Sequence, residues 1–150
     1  MELRTIIIGG VVPALLLGMG TVIMKLSLRA GISLPIYLVF VGFSIFCYGV
    51  VFAFQSGMKD VTLSGGLFAF LMGLSWSTAI YCMSYGISVL KLPVSVIAPL
   101  TNSNAIVAVI IGAIVFSEWK DLNFVKVLIG TVLIVVGGVV VSSSLQPNVR

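Results

Sequence analysis

Val127-Leu128-Ile129-Gly130-Thr131-Val132-Leu133-Ile134-Val135-Val136-Gly137-Gly138-Val139-Val140-Val141 carries no charge, and its only side-chain polar atom is one hydroxyl. The charge-free run containing it extends to residue 149, beyond the ~18 apolar residues at which a transmembrane helix becomes the default reading. Four more such runs precede it, at 5–24, 30–58, 61–90 and 92–117. With 60% apolar and 8% charged residues, and a mean hydropathy of +1.29, there is too little polar surface to cover a water-soluble globule. The expected fold is all-α: one five-helix transmembrane domain over residues 1–150, with helices at about 6–24, 34–54, 66–87, 93–116 and 124–142. No connection is long enough to form a soluble domain. The first run contains Pro13, and Leu26-Ser27-Leu28 matches a small-residue cleavage site poorly. The first span is therefore expected to persist rather than serve as a cleaved signal.

Charge placement carries the next step. Alternating the five helices across a bilayer puts Arg4, Lys59, Lys120 and Lys126 on one side and Lys25, Arg29, Lys91 and Arg150 on the other. Basic residues in short loops normally decide which way up a protein inserts, so an even division leaves orientation undetermined. One reading is insertion both ways up. The other is a tally in which Lys25 or Arg150 has little weight, so that one charge restores a bias. An odd helix count leaves the ends on opposite sides, and pairing with an inverted copy would generate the inverted-repeat symmetry of many secondary transporters. Anionic headgroups account for the basic residues at helix ends, so nucleic acid is not expected as a partner.

Polar and helix-breaking residues inside the spans are the candidates for function. Ala98-Pro99-Leu100-Thr101-Asn102-Ser103-Asn104 falls mid-span, where Pro99 leaves the Ser95 carbonyl without its usual donor. Asn102 and Asn104 are about 200° apart on a regular helix, so only a kink could turn both toward one site. Asn104 shares a face with Thr101, Ala105, Ala108 and Gly112, which suits helix packing, whereas Asn102 lies with Ser95 and Ala98 and is the better pocket candidate. Both amides could instead simply bond neighbouring helices. Pro13 repeats the device in the first span, freeing the Gly9 carbonyl ahead of Gly18 and Gly20. In the third span Ser77, Thr78, Tyr81, Ser84, Tyr85 and Ser88 follow helical spacing with Trp76 beside them, a face suited to a neutral hydrogen-bonding ligand with a ring-shaped or apolar body. Tyr85 and Ser88 could equally be interfacial anchors. Gly66, Ala69 and Gly73 continue this helix as a close-packing edge. Gly130 with Gly137, and Thr131 with Gly138, give the last helix another, facing a helix of its own chain or of a partner.

Chemistry that transforms a substrate finds no support. Glu2, Asp60, Glu118 and Asp121 lie at helix ends or in loops, and the chain has no histidine. Cys47 and Cys82 have no metal-ligand spacing and are expected to be buried packing residues, with neither metal nor cofactor implied.

The stretch from residue 81 to 141 resembles the second part of an EamA-type unit of the drug/metabolite transporter superfamily. The likeness rests on the tyrosine-rich third helix, the turn Ser88-Val89-Leu90-Lys91-Leu92-Pro93, Pro99, the acidic end Phe116-Ser117-Glu118, and the glycine-rich last helix. Leu16-Leu17-Gly18-Met19-Gly20 followed by Lys25 is similar to that family's first helix. The resemblance implies half of an inverted-repeat transporter, since members commonly carry two inverted units and shorter relatives, the small multidrug resistance proteins among them, act as antiparallel dimers. Those small proteins exchange protons on a glutamate in the first helix, and here none lies between Arg4 and Lys25. Glu118 matches the family's helix-end acid and is expected to cap or gate.

The sequence-based expectation is thus a multi-pass protein of a bacterial or archaeal plasma membrane. It would move a small metabolite by alternating access, as an antiparallel homodimer or with an oppositely oriented homologous unit. Substrate would meet Trp76, Tyr81, Tyr85, Asn102 and Asn104, with Pro13 and Pro99 shaping the pathway. The alternative is a membrane scaffold, or a subunit of a hetero-oligomeric complex, whose polar residues serve packing.

Overall fold

The structure is a computed structural model that describes residues 3–57, 62–117 and 123–144. Among these residues all regular structure is helical, and five helical spans are long and apolar enough to cross a membrane: Leu3–Arg29, Leu34–Ser56, Leu63–Ser88, Val94–Val115 and Val125–Ser143. That pattern is the mark of a multi-pass integral membrane protein. A bilayer interior offers no hydrogen-bonding solvent, and a helix satisfies its backbone within its own segment.

The first span consists of α1 (Leu3–Ile6), a π-helical turn at Ile7–Val11, and α2 (Val12–Arg29). Its C-terminal end corrects the expected boundary. The helix runs past Met24 to Arg29, taking Lys25 and Arg29 into its last turns, where cations complement the helix dipole and long side chains reach the headgroups. Between Arg4 and Lys25 the helix rises about 31 Å at 1.5 Å per residue, close to the ~30 Å of a hydrocarbon core.

The second span is α3 (Leu34–Ser56), with Pro35 in its first turn and Gly57 at φ 78° behind its C-terminus. The Gly57 N–H donates to Phe54 O at 3.4 Å, closing the helix in a left-handed conformation that glycine adopts without steric cost. The third span, α4 (Leu63–Ser88), starts three residues before its expected position. Thr62 is the reason: its hydroxyl accepts from the Gly65 N–H at 3.2 Å, an N-cap.

Two compact units divide the chain at Lys91 and Leu92. In the first unit α2 and α3 both pack on α4. Its buried residues include Met24 of α2 with Ser84, Gly86 and Ile87 of α4.

The second unit contains α5 (Val94–Thr101), α6 (Asn104–Val115) and α7 (Phe124–Ser143), and α5 packs chiefly against α7. Asn123 caps α7 by accepting from the Lys126 N–H at 3.2 Å. Val96, Ile97, Ala113 and Thr131 are buried. The two edges expected on the last helix therefore separate. Thr131 and Gly138 are buried, whereas nothing lies within 4 Å of a Cβ built on Gly130 or Gly137.

Large apolar side chains are otherwise exposed along every span, Phe40, Phe43, Leu74 and Ile114 among them. In water such faces would collapse on one another, but lipid tails are as apolar as leucine and remove that drive. Cys47 and Cys82 also differ from expectation, since both are free thiols on exposed faces rather than buried packing residues. Among the described residues nothing covers the helix faces that carry them.

Candidate functional site

The fourth span is interrupted near its middle. The Asn102 N–H still donates to Ala98 O at 3.2 Å, four residues back. The next bonds shorten their reach: Ser103 N–H donates to Leu100 O, Ala105 N–H to Asn102 O and Ile106 N–H to Ser103 O, each at 3.1 Å and three residues back. This is 3₁₀ geometry, and it separates α5 from α6 at Asn102-Ser103. Pro99 had pointed to a kink nearby, through the lost bond to Ser95. The structure moves the discontinuity one turn downstream, onto the poor helix formers Asn102 and Ser103.

A neighbouring helix fits the break. Because Ser103 donates to Leu100, the Pro99 carbonyl loses the donor it would have in a regular helix, and Gly138 of α7 comes up against it. A Cβ added at Gly138 would lie 3.2 Å from Pro99 O and 3.6 Å from Ser103 Oγ. A side chain here would push the two helices apart by a few tenths of an ångström, and glycine lets them meet at this distance. Thr101 adds a local bond, its hydroxyl donating to Ala98 O at 3.0 Å.

Asn102 and Asn104 are both exposed at this break. A regular helix separates two residues at this spacing by about 160° around its axis, and a 3₁₀ turn narrows that to about 120°. The break brings them closer in direction but not onto one face. Asn104 opens α6, and Asn102 ends α5.

On α4 the polar face divides. Ser84 is 1% exposed, donating its hydroxyl to Ile80 O at 2.8 Å and to Met24 Sδ at 3.5 Å. It is a packing contact with α2. Tyr81 and Tyr85, each 42% exposed, sit one turn apart on a face that remains open. The hydroxyls that flank them along the helix are already engaged, Thr78 donating to Leu74 O at 2.9 Å and Ser88 to Ser84 O at 2.8 Å. Ser/Thr side chains in apolar helices commonly donate to their own backbone in this way, and they keep only acceptor capacity for a ligand.

Trp76, expected beside the tyrosines, lies about 140° around α4 from Tyr81 and about half a turn from Tyr85, because the helix runs unbroken through Leu63–Ser88. It belongs to a different wall. Pro13 follows directly on the π-helical turn, in which the Val12 N–H reaches back five residues to Ile7 O. Glu118 lies outside the described residues. Two contacts had no signal in the sequence, the Ser84–Met24 pair and the seat of Gly138 on Pro99. Each depends on which helix faces which, and periodicity along one helix does not state that. In comparison with known proteins, no family model, curated protein or solved structure matches the chain.

Proposed function

We propose that the chain is a five-helix unit of a secondary transporter or facilitator for a small metabolite, working by alternating access as an inverted homodimer or with an oppositely oriented homologous unit in a bacterial or archaeal plasma membrane. The observation that carries this reading is the interrupted fourth span with Asn102 exposed beside the break. Irregular backbone and a bare amide at membrane depth are costly against lipid and are tolerated where they line a cavity or meet protein. The even division of basic residues supports insertion both ways up. The likeness to an EamA-type unit supports the same assembly.

In this proposal Asn102 supplies a donor and an acceptor to substrate. Within the first unit, Tyr81 and Tyr85 are a second candidate contact, offering ring faces and hydroxyls on α4. Trp76 acts from its own side of that helix. The break at α5–α6 serves as the bending point for exchange between inward and outward states.

Flux of a radiolabelled metabolite panel into proteoliposomes, with and without ion gradients, tests the function. A substrate transported above background is expected, with Asn102→Ala reducing its flux about tenfold while the protein stays folded and membrane-inserted. Background flux for every compound under every gradient would count against transport. The rival reading of a scaffold or hetero-complex subunit draws on the hydroxyls of Thr78, Ser84 and Ser88, which already serve their own helix. Purification in mild detergent separates the two, since a stable homodimer or a pair with a homologous five-helix unit favours the transporter and an obligate complex with an unrelated protein favours the subunit.

A further inference from the structure

We infer that Asn104 is the self-pairing point of the proposed inverted dimer, its amide meeting the Asn104 amide of a second copy on the two-fold axis. This rests on the inverted-pair reading and adds to it a specific contact. One observation and two physical arguments lead to it. Asn104 is exposed at the first residue of α6, and the span that contains it runs Val94–Val115, so it lies at the centre of that span. An inverted copy is generated by a two-fold axis in the membrane plane, which maps only midplane residues onto their own depth. Residues nearer either surface meet a different part of the partner. Finally, a carboxamide is self-complementary, with two N–H donors and a carbonyl acceptor, so two facing asparagines exchange a pair of hydrogen bonds that lipid cannot offer. Ala105 and Ala108 beside it are small enough to let a second helix approach. Asn102 points elsewhere and stays available to substrate.

Cysteine cross-linking of the full chain in its native membrane tests the contact, in a background with Cys47→Ala and Cys82→Ala. Asn104→Cys should form a disulfide-linked dimer on mild oxidation, because a disulfide requires Cα atoms within about 7 Å. Leu100→Cys and Ala108→Cys, one turn to either side, should link to each other when co-expressed and not to themselves. If Leu100→Cys and Ala108→Cys each link to themselves, the copies are parallel, and both this contact and the inverted pair are overturned. If Asn104→Cys does not link while tagging of the termini still shows both orientations, the inverted pair stands and the contact is overturned. As a check without cysteine chemistry, Asn104→Leu should weaken dimerisation about tenfold in detergent dilution, the loss of two interhelical amide bonds, and Asn104→Gln should restore part of it. An unchanged dimer with Asn104→Leu would also overturn the contact.

Discussion

Two prolines interrupt two spans of this chain, with different results. Before Pro13 the helix widens, with a π-helical turn at Ile7–Val11 that ends just short of the proline, and then continues for 18 residues to Arg29. After Pro99 the helix tightens, breaks at Asn102-Ser103 and restarts as α6. The surroundings account for the difference. Pro13 is preceded by Gly9 and Gly10, residues that lower the cost of an irregular turn, and no neighbour lies within 4 Å of a Cβ built on either. Pro99 is followed by Asn-Ser-Asn and faces Gly138 at close range. A proline sets where a helix is weak. The following residues and the neighbouring helix decide whether it bends or breaks.

The largest expected effect comes from filling the seat of Gly138. Its neighbour is backbone, which cannot rotate aside, so Gly138→Leu should destabilise the protein by about 1–3 kcal/mol. Gly137→Leu, with open space around it, should stay within about 0.5 kcal/mol of wild type. Thermal unfolding of both variants in one detergent checks the pair, and equal losses would mean that α7 does not pack on α5 through Gly138.

Next comes the break itself. Pro99→Ala restores a backbone donor, and amide hydrogen exchange at Ser103 and Ala105 should slow several-fold as regular helix propagates through Asn102. Pro13→Ala should alter exchange at Ile7–Val11 and leave residues 102–105 unchanged. If Pro99→Ala leaves exchange there as fast as before, the Asn-Ser pair alone holds the break open.

The smallest effect is expected on α4. Ser84→Ala removes the donor to Ile80 O and Met24 Sδ from a buried site and should cost about 1 kcal/mol, whereas Thr78→Val on an exposed face should cost less. Equal costs would show that the Met24 contact adds nothing to a bond within the helix.

The same contrast explains what the sequence made legible. The five spans were readable because twenty or so consecutive apolar residues have few other fates. Helix ends were less so: Lys25 and Arg29 look like loop residues by charge, yet the helix carries them, and the Thr62 cap lies just before the start inferred for α4. Pro99 marked the right region, but the site of the break depended on Asn102 and Ser103. The angle between Trp76 and Tyr85 follows from helix geometry alone. The division of the α4 face into a buried Ser84 and exposed tyrosines does not, because it required knowing that α2 lies against it.

The central claim is a unit that acts with an inverted partner, and the most direct measurement is orientation. Reporters that signal only on one side of the membrane, fused separately to each end of the chain, should each detect both orientations in comparable amounts. A single orientation, with every copy facing the same way, would contradict the inverted homodimer.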